Sequence, residues 1–281
     1  MSRTVYVNGE FLDEENAKIS VFDRGFLFAD GVYEVSSVID GKLIDNAAHM
    51  ARLRRSLSEL RMVFAMSDEE IIAAQEEVVA RNGLVEGALY LQVSRGVADR
   101  DFALPKDPKP SIVMFTQEKK LVDNPAVAKG WSVITLEDIR WRRRDIKTVQ
   151  LLAPSLAKQA ALDAGADDAW MVEDGMVTEG TSNNAWIIKG GKIITRHLSN
   201  DILHGITRKA VLRLAAEDGL TIEERSFTPE EAMDADEAFV TSATTFVMPV
   251  VSINGKGVGN GNPGSVTLRL RELYIEEARR S

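Results

Sequence analysis

Four two-residue turn signals, each at the end of a strand-like run, most constrain the fold of this 281-residue chain. They are Asn8-Gly9, Asp40-Gly41, Asp174-Gly175 and Gly190-Gly191. Such pairs adopt positive φ easily and favour the tight turns of β-hairpins. Strands that are joined by hairpins run antiparallel. The chain is therefore predicted to be an α+β protein rather than a series of βαβ repeats.

Capping signals place two helices in the first half of the chain. Asn46 is the predicted N-cap of a helix that runs to about Met62. Ser67 opens a capping box, Ser-Asp-Glu-Glu, for a second helix that stops at Asn82-Gly83. Strand-like runs precede and follow this pair of helices, so the first half mixes both kinds of element.

The stretch 118–130 is the predicted boundary between two domains. It is polar, contains Pro125 and has no clear periodicity, which is typical of a linker. We therefore expect an N-terminal α+β domain over 1–117 and a C-terminal domain over 131–281. The helices predicted for the second domain cover about 151–164, 206–219 and the residues from about 265.

Composition and charge disfavour several classes of function. The formal net charge of −9 and the pI near 5.1 argue against a nucleic-acid-binding protein. The chain has no cysteine, so a thiolate metal site and a cysteine nucleophile are excluded. Its three histidines lack metalloprotease spacing, and no metal is expected. No apolar signal core or run of about 18 apolar residues occurs, so we expect a cytoplasmic protein that binds no membrane.

The basic run Arg140 to Lys147 stands out in this acidic protein. It has five cations among eight residues, which also fits a solvated face or an anion-binding patch. The run leads into an apolar, alanine-rich helix, and Lys147 lies beside Ile146 and near Val149. A lysine among apolar side chains and other cations has its ammonium form disfavoured and can act as a Schiff-base nucleophile. The run alone leaves both interpretations open.

Three loops rich in small polar residues are possible phosphate sites. They cover 178–184, 204–208 and 241–245. Backbone N–H groups at turns and helix starts bind anions well, although each loop by itself fits an ordinary cap or turn better. Together with Lys147 and Arg52 they favour a phosphorylated cofactor. Neither a dinucleotide fingerprint nor a Walker lysine motif is present, which disfavours a dinucleotide or ATP.

Several short segments, in a fixed order along nearly the whole chain, carry a family resemblance. They are Asp23-Arg24-Gly25, Asp30 to Glu34, His49 to Leu53, Ser94-Arg95-Gly96, Glu137 to Trp141, Asp145-Ile146-Lys147, Thr178 to Asn184, Gly205 to Arg208 and Phe239 to Ser242. The sequence resembles the fold-type IV (class IV) pyridoxal-phosphate aminotransferases, and among them the bacterial D-amino acid aminotransferases. The resemblance implies a two-domain fold with a smaller N-terminal α/β domain and a larger, β-barrel-like C-terminal domain with helices.

The same resemblance implies pyridoxal 5'-phosphate as the cofactor and gives roles to two residues. Lys147 would hold the cofactor as an internal aldimine, and would then move a proton between substrate and cofactor. Glu179 would pair with the pyridine nitrogen and keep it protonated, which makes the ring an electron sink.

Further contacts are implied around the phosphate, the ring and the substrate. Those expected at the phosphate are Arg52, Ile206, Thr207, Ser242 and Ala243, and Ala243 would also face the substrate. Leu203 would pack on one face of the ring, and Tyr33 would point its hydroxyl into the substrate pocket. Without the resemblance, these residues would be interpreted as ordinary core, cap or surface positions.

The loop 96–105 is expected to hold the substrate carboxylate. In D-amino acid aminotransferases an arginine and a histidine on this loop reach the neighbouring subunit's site. Here Arg100 stands at the arginine position and Phe102 at the histidine position. An arginine alone can bind a carboxylate through two hydrogen bonds, but Phe102 makes this side of the pocket more apolar. The resemblance thus implies a homodimer and leaves the preferred donor open.

The sequence therefore predicts ping-pong transamination between a D-amino acid, of the D-alanine or D-glutamate type, and a 2-oxo acid such as 2-oxoglutarate or pyruvate. A branched-chain L-amino acid aminotransferase and an aminodeoxychorismate lyase are alternatives on the same scaffold. An (R)-selective amine transaminase is favoured by Phe102 and disfavoured by Arg100. A non-catalytic binding protein would lack Lys147 or Glu179, and both are present.

Overall fold

The computed structural model of the protein describes residues 2–280. The chain forms two compact units, one with residues 2–120 and 146–150, the other with residues 121–145 and 151–280. The segment that carries Lys147 therefore belongs to the first unit, although it comes later in the chain than the start of the second. The domain boundaries inferred from the sequence stay a prediction.

The first unit is a six-stranded antiparallel sheet with three helices. Its strands are β1 (Thr4–Val7), β2 (Glu10–Asp13), β3 (Gly31–Ile39), β4 (Lys42–Leu43), β5 (Gly87–Ser94) and β6 (Ser111–Glu118), and its helices are α1 (Arg24–Phe28), α2 (Asn46–Glu59) and α3 (Asp68–Arg81). The strand order is β2-β1-β6-β5-β3-β4. The long central strands β3 and β5 pair along their whole length, from Gly31 opposite Ser94 to Val38 opposite Gly87.

The second unit is built on a nine-stranded mixed sheet. Its strands are β7 (Trp131–Glu137), β8 (Asp168–Glu173), β9 (Met176–Gly180), β10 (Asn184–Lys189), β11 (Lys192–Thr195), β12 (Thr221–Glu224), β13 (Glu237–Ser242), β14 (Phe246–Ile253) and β15 (Lys256–Gly257). Its helices are α4 (Ala126–Lys129), α5 (Leu152–Asp163), α6 (Ile206–Glu217), α7 (Pro229–Met233) and α8 (Ser265–Arg280).

This sheet is curled around an apolar core. The strand order is β12-β11-β10-β13-β14-β7-β8-β9, and the end strand β9 comes back beside β10. Parallel pairing is limited to β7 with β8, β7 with β14 and β11 with β12. Trp170 and Phe227 meet edge to face in the core, and Trp186 stacks on Phe239. The predicted α+β class, with a larger second unit, is confirmed.

All four predicted turns are present with the expected backbone conformation. Both residues of Asp40-Gly41 have positive φ, at 52° and 76°, and so do those of Asp174-Gly175, at 51° and 74°. Positive φ at both central residues matches the right-handed twist of a hairpin. Aspartate and asparagine tolerate this conformation better than other side chains, which is why these dipeptides predict it.

Helix starts show where short-range signals were sufficient. The capping box at Ser67 is formed, because its hydroxyl accepts from Glu70 N–H and the Glu70 carboxylate accepts from Ser67 N–H. The predicted N-cap at Asn46 is wrong: Asp45 is the cap, and the Asn46 amide instead donates to Gln75. The stretch 118–130 contains the short helix α4 and the buried Leu121.

Among residues 2–280, no helix is both long enough and apolar enough to cross a membrane.

Candidate active site

Lys147 is held against the sheet of the first unit by its backbone. Tyr33 N–H donates to the Lys147 carbonyl at 3.0 Å, and the Lys147 N–H lies 3.5 Å from the Ser56 hydroxyl on α2. The Lys147 ammonium lies 4.3 Å from the centroid of the Tyr33 ring, which stacks on Tyr90. The sheet thus fixes the lysine backbone, while the half-buried side chain extends over an aromatic face.

A buried ion cluster lies next to Tyr33. Glu34 accepts two hydrogen bonds from Arg52, at 2.8 Å and 2.6 Å, and lies 2.7 Å from His49 Nδ1. Burial disfavours the Glu34 carboxylate, yet Arg52 and His49 together lower its pKa to about 2. The guanidinium of Arg52, the predicted phosphate ligand, is therefore oriented by a two-point ion pair within the first unit.

Glu34→Gln is expected to lower the free energy of unfolding by about 3 kcal/mol at neutral pH, because removing one partner leaves buried charges uncompensated. The folded pKa of Glu34, about 2, lies below its ordinary value of 4.5. Its contribution is therefore present above pH 4.5 and is lost as the pH falls towards 2. Urea denaturation at neutral and lower pH should show the difference from wild type shrinking. Glu76→Gln, the same change at an exposed position of α3, should stay within about 0.5 kcal/mol.

Glu179 is the buried carboxylate of the second unit. It lies on β9 with 3% of its surface exposed. Its oxygens accept hydrogen bonds from Arg140 Nη1 at 2.5 Å, Asn184 Nδ2 at 2.9 Å and Leu203 N–H at 3.0 Å. Burial raises the pKa of Glu179, and the ion pair with Arg140 opposes this shift. The carboxylate is thus fixed in direction by three donors.

Arg140 is itself locked in place by a second carboxylate. Its Nε and Nη2 donate to Asp138 at 2.9 Å and 2.7 Å. Asp138 also accepts from the Thr178 hydroxyl at 2.7 Å. Burial lowers the pKa of Arg140, but Glu179 and Asp138 outweigh it and raise the pKa above its usual value. The guanidinium therefore stays charged and cannot turn away from Glu179.

The helix start at Gly205 adjoins this carboxylate. No side chain caps α6, which begins at Ile206, so the first N–H groups of the helix are suited to an anion. A Cβ on Gly205 would lie 2.1 Å from Asn184 Oδ1, so only glycine allows this close approach. Because Asn184 also donates to Glu179, the helix start and the carboxylate are neighbours. Thr207, on the first turn, is buried.

The turn 242–245 lies at the same end of the sheet. Asn184 pairs with Thr241, the residue before Ser242. The Ser242 and Thr245 hydroxyls are 2.8 Å apart, and Ala243 lies between them. The second unit therefore brings the predicted phosphate residues Ile206, Thr207, Ser242 and Ala243 to one sheet end, beside Leu203 and Glu179.

The predicted carboxylate loop carries its arginine between aromatic rings. The Arg100 guanidinium lies 5.6 Å from the Phe28 ring centroid and 5.9 Å from that of Phe102. The two rings meet edge to face at 5.6 Å. Below them, Arg24 donates to the Asp101 carbonyl at 2.6 Å and lies 4.4 Å from the Phe28 ring centroid. Phe102 is 81% exposed, so the cation–π contacts orient Arg100 at the surface.

This combination of a lysine on a short inserted segment, a buried glutamate and an uncapped helix start coincides with a family match. The amino-transferase class IV family matches residues 31–253. The chain belongs to the class IV aminotransferases.

Named relatives agree with this placement of the class IV aminotransferase. The chain is 40% identical to the D-alanine aminotransferase of Staphylococcus haemolyticus, over 97% of this chain and 98% of that protein. It is 39% identical to the D-alanine aminotransferase of Bacillus licheniformis, over 94% of this chain and 93% of that protein. Among solved structures, the branched-chain aminotransferase of Thermoproteus uzoniensis with norvaline has a TM-score of 0.86 at 27% identity, covering 98% of this chain and 94% of that one. A bacterial-type branched-chain amino acid aminotransferase with pyridoxamine 5'-phosphate, from the organism abbreviated T.th., has a TM-score of 0.92 at 28% identity, covering all of this chain and 96% of that one.

Sequence reasoning about this class IV aminotransferase missed how its charged residues are paired. Asp138, Asn184, Glu34 and His49 had no assigned role, and Arg140 was expected only to shape the electrostatics around Lys147. Two signals were available. His49 and Arg52 are three apart and so share one face of α2, and Asp138 and Arg140 flank Ile139 directly after β7. Neither spacing reveals the partner across the fold.

Proposed function

We propose that this class IV aminotransferase uses pyridoxal 5'-phosphate to transfer an amino group from a D-amino acid, of the D-alanine or D-glutamate type, to a 2-oxo acid. Full-length relatives that are named D-alanine aminotransferases support the choice of substrate. The observation that carries the proposal is the buried Glu179 carboxylate beside the uncapped start of α6. A cytoplasmic location stays a prediction.

The residues of the second unit fit this cofactor. A pyridinium nitrogen is a cation that needs one fixed carboxylate, and Glu179 is held by three donors. A phosphate dianion needs several N–H and O–H donors, which Ile206, Thr207 and Ser242 offer at one sheet end. When bound, pyridoxal 5'-phosphate supplies an electron sink for the bond to the substrate Cα.

Lys147 is the proposed covalent anchor and proton carrier. Its amine would hold the cofactor through a Schiff base, and once displaced by the donor's amino group it would take the Cα proton and return it one atom away. The hydrogen bond from Tyr33 N–H to the Lys147 carbonyl fixes the base of this side chain. The amine can therefore swing without moving its backbone, and this reach is what a proton carrier needs.

Glu179 and Arg140 are proposed to act as one unit. The carboxylate would hold the proton on the pyridine nitrogen, while Arg140 keeps the carboxylate ionised and aimed. Arg52 would bind the phosphate, with its fork oriented by Glu34. Leu203 would pack on the ring face, and Tyr33 and Ala243 would face the substrate.

Arg100 is the proposed carboxylate ligand, and its removal gives a prediction. Arg100→Met is expected to raise KM for D-alanine about 10- to 100-fold, because a charged hydrogen-bonding partner of the carboxylate is lost. The KM for (R)-1-phenylethylamine, which has no carboxylate, should not rise. Steady-state kinetics with both donors measures the split, and Arg55→Met, a half-buried arginine of α2, is the control. An equal rise for both donors would contradict the assignment.

We also propose that the enzyme is a homodimer in which Arg100 serves the other subunit. Large apolar side chains are exposed around this loop in the first unit: Ile19, Val21, Phe22, Phe26, Val97, Phe102 and Leu104. They are contiguous, because Ala98 N–H donates to the Phe22 carbonyl and Val97 pairs with Asp23. Exposed apolar surface of this kind marks an interaction site. Sedimentation of the protein should give twice the 31.0 kDa chain mass.

A half-reaction separates the proposed donor from its alternatives. The protein loaded with pyridoxal 5'-phosphate is mixed with D-alanine, L-leucine or (R)-1-phenylethylamine, without an oxo acid. D-Alanine is expected to bleach the visible band of the cofactor and release stoichiometric pyruvate. Bleaching by L-leucine alone would instead identify a branched-chain aminotransferase, a function of several structural neighbours. Bleaching by the amine alone would favour an amine transaminase. Repeated pyruvate release from aminodeoxychorismate would indicate a lyase.

A further inference from the structure

Arg271 on α8 is a buried cation that is held by backbone carbonyls. Only 5% of its surface is exposed. Its Nη1 donates to the Thr245 carbonyl at 2.7 Å and to the Val247 carbonyl at 3.0 Å. Its Nη2 donates to the carbonyls of Val122, at 3.1 Å, and Leu121. Burial lowers the pKa of Arg271 to about 10, against the opposing charge of Asp123. Every hydrogen bond that the structure shows for it ends on the main chain.

Two of these carbonyls flank a residue in a strained conformation. Phe246 is fully buried and has φ of +57°, a region that costs a non-glycine residue about 1–2 kcal/mol. Its ring lies 5.5 Å from the Arg271 guanidinium carbon and 5.2 Å from the Tyr274 ring. Strained backbone persists only where its surroundings fix it. Here α8 fixes it through Arg271 on one side and Tyr274 on the other.

Phe246 is also the residue on which the turn 242–245 closes. Ser242 pairs with Phe246 across β13 and β14, so the conformation of Phe246 sets the direction in which the turn leaves the sheet. Arg271 draws the Thr245 and Val247 carbonyls to the α8 side. The turn is therefore held from behind, and the hydroxyls of Ser242 and Thr245 are 2.8 Å apart.

We propose that Arg271 is a positioning residue for the phosphate-binding turn. This inference rests on the proposed function, in which the turn and the start of α6 hold the cofactor phosphate. Arg271 does not touch the phosphate in this account. It acts by holding the exit of the turn against the strain at Phe246, so that the donors of Ser242 and Ala243 are pre-organised for a dianion. Its buried charge adds a favourable potential at the same place.

Paired binding measurements separate positioning from general stability. The dissociation constants of pyridoxal 5'-phosphate and of pyridoxal, which lacks the phosphate, are measured by absorbance on the apoprotein. Arg271→Met is expected to weaken binding of pyridoxal 5'-phosphate about 10- to 100-fold and that of pyridoxal less than about twofold. Arg271→Lys keeps the charge and part of the donors, so its phosphate-specific loss should be about 3- to 10-fold.

Arg269→Met is the matched control on the same helix. Arg269 is largely exposed and pairs with Asp218 and Glu272, so both dissociation constants should stay at wild-type values. Thr207→Ala tests the phosphate site itself and should show a phosphate-specific loss. A wild-type ratio of the two constants in Arg271→Met, with a changed ratio in Thr207→Ala, overturns the role of Arg271 alone. A wild-type ratio in both overturns the proposed phosphate site as well. If Arg271→Met does not fold, the ratio in Arg271→Lys decides.

Discussion

Lys147→Ala is expected to lower kcat for transamination from D-alanine by at least about 10⁴-fold, the upper range for loss of a general acid–base group, because the covalent anchor is lost as well. Folding should be retained, since the hydrogen bond from Tyr33 N–H ends on the Lys147 carbonyl and not on its side chain. Steady-state rates and the half-reaction without oxo acid are both measured. A small primary amine in the buffer is expected to restore part of the half-reaction rate, because it can carry the same proton.

Lys189→Ala provides the control for that result. Lys189 ends β10 and is exposed, so its loss should leave kcat within about twofold. Full turnover by Lys147→Ala would show that another group anchors the cofactor. A variant that loses activity and also melts at a much lower temperature would point to a structural role for the lysine instead.

Glu179→Gln is expected to lower kcat about 10²- to 10³-fold, the range for losing one fixed electrostatic partner of a developing charge. The amide removes the negative charge that holds a proton on the pyridine nitrogen, and it leaves Arg140 facing a neutral group. Glu179→Asp keeps the charge and should lose less. The KM for D-alanine should change much less than kcat, because Glu179 is proposed to act on the cofactor and not on the substrate.

Glu173→Gln tests whether any carboxylate of this charged network has the same effect. Glu173 is paired with Arg144 at 2.7 Å, and Arg144 lies 3.5 Å from Asp138. It therefore belongs to the same chain of charges but lies far along it from the proposed ring position. Its kcat should stay within about threefold of wild type. Equal losses in both variants would assign the effect to the network as a whole.

Local chemistry was sufficient for much of the fold and for the identity of the central site residues. The turn dipeptides predicted the hairpins, because the φ values that a two-residue turn requires belong to few residue types. The capping box at Ser67 was equally local. The N-cap at Asn46 failed because its amide has a better partner, Gln75, on α3. Strand β2 and the short helices α1 and α7 were missed, since four or five residues carry too little periodicity to register.

Which residue types are available follows from the sequence alone: one lysine beside an apolar helix, a glutamate in a loop of small residues, and an arginine with a phenylalanine where a histidine is usual. How they are paired depends on the tertiary structure. Glu179 faces Arg140, Arg52 is aimed by Glu34, Arg100 lies between Phe28 and Phe102, and Arg271 supports a turn 26 positions away from it. Charged side chains find partners wherever the fold brings them within about 3 Å, and no spacing along the chain encodes that distance.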